Sequence, residues 1–208
     1  MARSTLIAWT LFFVGLLLIV GYYFSTVPGS SPQVVTDAPG EAGGPQIEIT
    51  IEGEASGTVL IELFDTIAPN HAERITTLAR GGAYDGVVFH RVIDGFMAQT
   101  GDVQHGGPGG DLRMAGTGAS SYPDLAAEFS SEPFVAGVVG MARSASPDSA
   151  NSQFFIMFGE AAHLNGAYTA VGRVIEGMDV VAAIKRGTGS NGAVVGEPDR
   201  MARVRVVE

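Results

Sequence analysis

The sequence predicts a mainly β domain, built as an antiparallel barrel or sandwich capped by two α-helices and preceded by one transmembrane helix. Short strand-like runs recur at regular spacing after residue 45, and only two stretches among them have helical periodicity. Many short strands with few helices are typical of barrels and sandwiches. Residues 6–24, in contrast, form one apolar segment without a charge. The chain therefore divides into residues 1–24, a tether at 25–45 and a globular domain at 46–208.

Residues 6–24 are the predicted membrane anchor. As a helix they extend about 28 Å, close to the roughly 30 Å hydrocarbon core of a bilayer. Aromatic residues, which prefer the membrane interface, lie near its two ends: Trp9, Tyr22 and Tyr23. Arg3 precedes the segment and the next basic residue is Arg74, so the positive-inside rule places the amino terminus in the cytoplasm. We expect a single-pass protein of the inner (cytoplasmic) membrane, with its carboxy-terminal domain in the periplasm or outside the cell.

A cleaved signal peptide is the alternative interpretation of this segment, and it would leave the protein soluble in the periplasm. The apolar region of a signal peptide is usually shorter and is followed by a small-x-small cleavage motif. Residues 25–28 read Ser-Thr-Val-Pro and contain no such motif. The sequence therefore favours an uncleaved anchor. Residues 25–45 are rich in Pro, Gly and Ser and predict a flexible tether.

The globular domain begins with a predicted β-hairpin. Ile47, Ile49 and Ile51 alternate with polar residues, a pattern that indicates a half-buried strand. A glycine-containing turn follows, and residues 58–64 form the returning strand. The further predicted strands are 87–91, 96–101, 134–141, 153–158, 168–174 and 202–207. The glycine-rich stretch 101–118 has no lysine and no helix close behind it, so it predicts a surface loop and not a phosphate-binding loop.

Two amphipathic helices complete the domain. The first begins at Pro69 and ends before Gly81, and its apolar residues recur at helical spacing. The second ends at Gly187, and its predicted apolar side consists of Met178, Val181, Ala182 and Ile184. Because strands outnumber helices, we expect the helices to cap a sheet structure.

The composition excludes several classes of function. The formal net charge is −10, so the chain has no excess of basic residues to neutralise the phosphates of a nucleic acid. The absence of cysteine excludes disulfides, thiol nucleophiles and cysteine-ligated metals. The four histidines show no metal-ligand spacing. We therefore expect no nucleic-acid partner, no metal and no cofactor.

Three segments carry the residues that suggest chemistry. The first, at 89–102, reads Phe-His-Arg-Val-Ile-Asp-Gly-Phe-Met-Ala-Gln-Thr-Gly-Asp. The second comprises Gly-Met-Ala-Arg at 140–143 and Asn-Ser-Gln-Phe-Phe-Ile at 151–156, and the third reads His-Leu-Asn-Gly-Ala-Tyr-Thr at 163–169. Together they place one arginine and two glutamines among large apolar residues. An apolar pocket with a few convergent polar groups is the usual form of a small binding site.

The pattern FHRVIxGFMxQxGD followed by SQFFI resembles the signature of the cyclophilin-type peptidyl-prolyl cis–trans isomerases, and the resemblance extends over residues 47–207. It implies a closed eight-stranded antiparallel β-barrel capped by two helices, which agrees with the order of elements above. It also implies an enzyme that accelerates rotation about X-Pro bonds in proline-containing polypeptides. With the predicted export of the domain, its expected role is to assist the folding of exported proteins.

The resemblance assigns roles to individual residues. Arg91 matches the catalytic arginine of the family, and Gln99 matches the glutamine that holds it in place. Gln153 matches a glutamine that faces the substrate. Ala142 and Arg143 match an edge segment whose backbone binds the peptide as an added strand. The wall of the proline pocket is matched by Phe96, Met97, Phe155 and Leu164.

Three positions depart from the pattern of the best-known eukaryotic members. His163 and Tyr168, which also belong to the expected substrate site, stand where those members often have tryptophan and histidine. The tryptophan position helps to bind cyclosporin, so binding of that drug is possible but is expected to be weakened. Arg143 replaces an asparagine, and because that position acts through its backbone we expect the change to matter little.

Two other classes of function remain open on the sequence. A proline-peptide-binding chaperone module would need the pocket but neither Arg91 nor Gln99, and both are present. A scaffold that merely uses the fold would have a degraded pocket, whereas the apolar wall is intact. His90 points to the opposite face of its strand from Arg91 and is interpreted as a structural histidine. The isomerase is therefore the favoured function.

Overall fold

The computed structural model describes residues 43–207. One sheet contains the strands β1 (Gln46–Glu52), β2 (Gly57–Leu63), β3 (Val87–Val88), β4 (Arg91–Ile93), β5 (Met97–Thr100), β6 (Val138–Met141), β7 (Phe154–Met157), β8 (Ala170–Glu176) and β9 (Arg200–Val207). The α-helices of the described residues are α1 (Pro69–Arg80) and α2 (Met178–Ala183). Short 3-10 turns lie at Leu112–Met114 and Ala162–Leu164.

Neighbouring strands all pair antiparallel, in the order β3-β9-β1-β2-β8-β6-β7-β5-β4. The two edge strands, β3 and β4, are consecutive in the chain and are separated only by Phe89 and His90. β1 and β9, the first and last strands of the described residues in chain order, also pair: Gln46 lies opposite Val207. The mainly β, antiparallel architecture with two helices is therefore confirmed.

The sheet has nine strands, and its edge strands β3 and β4 do not pair with each other, so it is not the closed eight-stranded barrel that the resemblance implies. The run at 87–91, predicted as one strand, is two: Val88 pairs with β9, whereas Arg91 pairs with β5. Between them, the N–H of Phe89 donates to the carbonyl oxygen of Asp199 at 2.8 Å. The run changes its partner because it joins the two edges of the sheet. Such a change leaves no trace in the alternation of apolar residues.

The strand predicted at 134–141 begins only at Val138. Gly137 has a φ of 86°, a left-handed conformation that favours glycine. The N–H of Val138 closes a turn onto the carbonyl oxygen of Val135 at 3.1 Å. The apolar residues before Val138 therefore belong to a turn, although their hydrophobicity resembles that of a strand.

The second helix is also shorter than predicted. It ends at Ala183, before the expected stop at Gly187. Ala182, assigned to its apolar side, is exposed, and Val181 is the residue that the helix buries. Six residues make less than two turns, which are too few positions for a helical pattern to define a buried face.

The core consists of two clusters of buried side chains. In the larger one, Ile47, Ile49 and Ile51 are each no more than 1% exposed, as their alternation predicts. A large apolar side chain contributes about 1.5–3 kcal/mol when it is fully buried. The smaller cluster includes Phe64, Met97, Phe134, Phe155 and Leu164. Several of its members also line the candidate site.

Helix α1 forms where it is predicted, but its N-terminus is capped by a distant residue. Ala68, at the N-cap, makes no side-chain hydrogen bond. Instead, the Glu128 carboxylate accepts the backbone N–H groups of Asn70 at 3.2 Å and His71 at 3.1 Å, donors that a helix leaves without partners. The buried His71 also donates from Nδ1 to Glu128 Oε2 at 2.5 Å. The loop that carries Glu128 is thereby fixed to the helix.

No helix within residues 43–207 is long and apolar enough to cross a membrane. The predicted anchor at 6–24 and most of the predicted tether at 25–45 lie outside the described residues. β1 begins at Gln46, where the globular domain was expected to start. The division of the chain into anchor, tether and domain stays a prediction.

Candidate active site

The strands β4 and β5 bring Arg91 and Gln99 together. Arg91 begins β4 and lies opposite Gln99 in the antiparallel register, so the two side chains emerge on the same face of the sheet. Arg91 Nη1 donates to Gln99 Oε1 at 3.1 Å and lies 3.9 Å from Met97 Sδ. The contact predicted between Arg91 and Gln99 is therefore present.

A chain of hydrogen bonds holds Gln99 in turn. Its Nε2 donates to Gln153 Oε1 at 3.0 Å, and Gln153 Nε2 donates to the carbonyl oxygen of Gly118 at 2.8 Å. Gly118 belongs to a loop organised by the buried Asp102. The Asp102 carboxylate accepts the backbone N–H groups of Gln104, His105, Gly116 and Gly118. Arg91 is thus connected through two glutamines to a well-supported loop.

Arg91 has another partner that the sequence does not predict. Its Nε donates to the carbonyl oxygen of Asn191 at 2.9 Å. The segment that carries Asn191 lies along β4, where the N–H of Val92 donates to the carbonyl oxygen of Gly192 at 2.8 Å. The Asn191-Gly192 pair signals a turn. Nothing in the sequence indicates against which strand that turn packs.

The charge of Arg91 follows from its surroundings. Burial lowers the pKa of Arg91 from its ordinary value, and the charge interaction with Tyr168 acts in the opposite direction. A guanidinium nevertheless stays protonated in proteins, because its ordinary pKa lies so far above neutrality. The site therefore holds a positive charge at neutral pH.

Arg91 lies at the edge of a cavity of about 280 Å³. Its lining comprises Arg91, Phe96, Met97, Gln99, Ala142, Arg143, Phe155, His163, Leu164 and Tyr168. The rings of Phe155 and Tyr168 meet edge-on at 6.0 Å between centroids, and those of Phe96 and His163 lie 5.8 Å apart. Every residue predicted for the site except Gln153 therefore lines this one cavity.

A second cavity, of about 360 Å³, adjoins the first. Gln153 lines it, and the two cavities share Gln99, Ala142 and Arg143. Its remaining residues are small or polar and include Thr117, Gly118, Asp124, Ser144 and Asn151. The Ala142–Arg143 segment is thus a partition between the cavity that contains the large apolar side chains, called here the apolar cavity, and the one lined by small and polar residues, called the polar cavity.

The side chain of Arg143 crosses the rim of the apolar cavity. Its guanidinium carbon lies 4.4 Å from the centroid of the Tyr168 ring, within the range of a cation–π contact. Its Nη2 donates to the carbonyl oxygen of Ala167 at 3.0 Å, and its Nη1 donates to that of Ser144 at 2.9 Å. The side chain as well as the backbone of Arg143 therefore belongs to the cavity wall.

His90, the neighbour of Arg91, lines neither cavity. Burial lowers the pKa of His90, so its ring is neutral at neutral pH. Within residues 43–207, no group of three or more His, Asp or Glu side chains is placed to hold a metal ion. Arg91 and Gln99 are thus two of the polar residues that line the apolar cavity, beside Arg143, His163 and Tyr168.

The domain matches the family model described as "Cyclophilin type peptidyl-prolyl cis-trans isomerase/CLD" over residues 46–206. Probable peptidyl-prolyl cis-trans isomerases of Brucella suis and Brucella melitensis are each 55% identical to this chain over 152 residues, which cover 72% of it and 78% of each relative. Peptidyl-prolyl cis-trans isomerase 10 of Caenorhabditis elegans is 38% identical over 130 residues, which cover 62% of this chain and 77% of the relative.

Solved structures share the fold. Cyclophilin AquaCyp293 from Hirschia baltica has a TM-score of 0.61 and 27% identity, with 76% of this chain and 72% of that chain covered. A Cryptosporidium parvum cyclophilin type isomerase in the presence of the dipeptide ala-pro has a TM-score of 0.65 and 22% identity, with 78% and 99% covered. Fold, site and relatives together define a peptidyl-prolyl cis–trans isomerase. The chain belongs to the cyclophilin type of this enzyme.

Proposed function

We propose that Arg91 is the catalytic residue of the isomerase and that the apolar cavity beside it is the proline pocket. One observation carries this proposal: the Arg91 guanidinium is held by Gln99 at 3.1 Å, at the edge of a cavity of about 280 Å³. The proline ring would contact the apolar wall formed by Phe96, Met97, Phe155 and Leu164. The partition at Ala142 and Arg143 would bind the peptide backbone as an added strand.

The chemistry of the bond explains why an arginine suits this place. Rotation about an X-Pro bond has a barrier of about 18–20 kcal/mol, because the nitrogen lone pair is delocalised into the carbonyl group. Twisting the bond localises that lone pair on the proline nitrogen. A charged donor directed at the nitrogen then interacts more strongly with the twisted state than with the planar one. The guanidinium of Arg91 is fixed before the substrate arrives, so it need not reorganise during the step.

Arg91 cannot supply the whole acceleration. A 10⁵-fold rate enhancement corresponds to about 7 kcal/mol, whereas one preorganised donor typically contributes about 3–4 kcal/mol. The remainder must come from the pocket, which anchors the ring while water leaves the amide. Water favours the more polar planar state, so its removal lowers the barrier further.

An isomerisation assay on the full-length protein in detergent tests this assignment. We expect Arg91→Ala to lower kcat/KM for an X-Pro peptide by about 10²–10³ with little change in Tm. Arg91→Lys keeps the charge but loses the planar fork, so its kcat/KM should lie between those of the wild type and Arg91→Ala. If the wild type and Arg91→Ala were equally slow while both bound proline peptides, the protein would be a proline-peptide-binding chaperone module instead.

We also propose that the enzyme acts on exported proteins from the outer side of the inner membrane. The support is the uncharged segment at 6–24, with Arg3 before it and no basic residue again until Arg74. Protease added to intact spheroplasts should digest the carboxy-terminal domain. Protection of the domain until the membrane is lysed would contradict the proposal.

A further inference from the structure

We propose that the side chain of Arg143 is a positioning residue that shapes the proline pocket by fixing the ring of Tyr168. The inference rests on the proposed function of the apolar cavity. The Arg143 guanidinium carbon is 4.4 Å from the Tyr168 centroid, and the ring meets Phe155 edge-on at 6.0 Å. Tyr168 therefore stands between a fixed cation and the apolar wall, and its placement decides how wide the cavity is.

The hydrogen-bond donors of Arg143 are used within the protein. Its Nε and Nη2 donate to the carbonyl oxygen of Ala167 at 3.3 and 3.0 Å, and its Nη1 donates to those of Ser144 at 2.9 Å and Ala145 at 3.4 Å. A guanidinium has five N–H groups, and these bonds use four of them. Arg143 is thus not free to bind a substrate carboxylate as a fork, and its contacts are directed at the protein itself.

These bonds connect two segments on opposite sides of the partition. Ala167 directly precedes Tyr168 and follows the 3-10 turn of the cavity wall. Ser144 begins a compact turn in which its Oγ lies 2.7 Å from Ser149 Oγ. Arg143 therefore ties the wall of the apolar cavity to the wall of the polar one. Without the Arg143 side chain, the Tyr168 ring would keep its contact with Phe155 but would lose the cation on its other side.

The kinetic consequence follows from where Tyr168 lies. The ring lines the cavity that holds the proline ring, and a proline ring needs that wall in both the planar and the twisted state. Loosening the wall therefore weakens both states equally, which raises KM and leaves kcat nearly unchanged. Loss of Arg91, in contrast, removes an interaction specific to the twisted state and lowers kcat.

Full-length variants assayed with one X-Pro peptide test the inference. We expect Arg143→Ala to raise KM about fivefold, as befits loss of one cation–π contact, while kcat changes less than twofold. Arg143→Lys retains a cation beside the Tyr168 ring, so its KM should rise less than that of Arg143→Ala. In a Tyr168→Ala background, Arg143→Ala should raise KM no further, because the ring that Arg143 positions is absent.

Arg186→Ala is the matched control. Arg186 lies 4.2 Å from the centroid of Phe158 and donates to the carbonyl oxygen of Ala182 at 2.9 Å, but it lines neither cavity. We expect Arg186→Ala and Arg143→Ala to lower Tm by similar amounts, whereas Arg186→Ala should leave KM unchanged.

An unchanged KM in Arg143→Ala, or effects of Arg143 and Tyr168 that simply add, would overturn the inference. Arg91 is intact in all these variants, so either outcome would leave the role of Arg91 standing. A wild-type protein without isomerase activity would instead defeat the proposed function.

Discussion

The position of Arg91 depends on two acceptors that have no contact with the reacting bond in the proposed mechanism. Gln99 Oε1 and the carbonyl oxygen of Asn191 lie 3.1 and 2.9 Å from its donors. A long flexible side chain loses up to about 1.5–2 kcal/mol of rotamer freedom when it is fixed. Because Arg91 is held in the folded protein, this cost is incurred during folding and not during catalysis. In the proposed mechanism, the two acceptors therefore act by holding Arg91 in place.

Replacing Gln99 by leucine tests this role. Leucine has a similar volume but accepts no hydrogen bond, so in Gln99→Leu the Arg91 side chain should occupy its observed position for a smaller fraction of the time. We expect kcat/KM to fall about tenfold, since small misplacements of a reacting group are costly, and Tm to change by only a few degrees. Both are measured on the same preparation, so that unfolding is separated from misplacement. An unchanged kcat/KM would show that the hydrogen bond from Arg91 to Gln99 is not needed for activity.

For single residues, the sequence predicts contacts between side chains better than contacts made by main-chain atoms. Gln99 is found because its motif places it on the strand next to Arg91. The Asn191 contact comes from a main-chain oxygen, which any residue would supply, and from a part of the chain 100 residues away. Arg143 was expected to act through its backbone, and its contact with Tyr168 depends on how two loops meet. Such contacts require the folded chain.

Among the elements, the segment that carries Asn191 decides how β4 is supported. Gly192, next to Asn191, has a φ of 69°, and an added Cβ there would lie 2.4 Å from Ile93 Cγ1 and 2.9 Å from the carbonyl oxygen of Val92. No side chain can be accommodated there without moving the segment away from β4. That movement would also displace the carbonyl oxygen that holds Arg91.

Gly192→Ala should therefore impair both stability and catalysis. We expect kcat/KM to fall about tenfold through the displaced Arg91, together with a lower Tm. Gly189→Ala is the matched control: its φ is 68°, but the nearest atom to an added Cβ, Asn191 Oδ1, is 3.6 Å away. It carries the same left-handed strain, about 1–2 kcal/mol, without the collision. Equal kcat/KM in the two variants would contradict the proposed contact.

Elements were predictable where one pattern runs through a whole element. The alternation of Ile47, Ile49 and Ile51 predicts β1, and the Pro69 start predicts α1. The run at 87–91 fails because its residues pair with two different strands, and α2 fails at its end because six residues define no face. Local periodicity reports burial, whereas the change of partner after Val88 is a property of the whole sheet.

For the whole molecule, two carboxylates that accept backbone N–H groups contribute to how stability depends on pH. Burial raises the pKa of Asp102, but hydrogen bonds from four backbone N–H groups outweigh it and leave the pKa below its ordinary value. Burial also raises the pKa of Glu128, but hydrogen bonds from His71 and Asn70 outweigh it and leave that pKa below its ordinary value. A depressed pKa adds stability above the ordinary pKa of the group, which is lost as the pH falls through the folded-state pKa. The domain should therefore lose stability below about pH 4.

Asp102→Asn tests the contribution of Asp102 to this dependence. Each oxygen of Asp102 accepts two N–H groups, so an amide nitrogen at either place would face two donors. A buried donor without its acceptor costs about 1–3 kcal/mol. Denaturant unfolding should show Asp102→Asn less stable by this order at pH 7, with a smaller difference at pH 3. A constant difference at both values would rule out Asp102 as a source of the acid sensitivity.

The pairing of β1 with β9 has a consequence for biosynthesis. β9 lies between β3 and β1 in the sheet, although it is the last strand of residues 43–207 to leave the ribosome. Until it arrives, β1 is an open edge with Ile47, Ile49 and Ile51 on one side, and exposed edges of this kind promote aggregation. Closing a contact between distant parts of a chain is also slow. We therefore expect this edge of a nascent chain to stay exposed, and in need of protection, until β9 has been made.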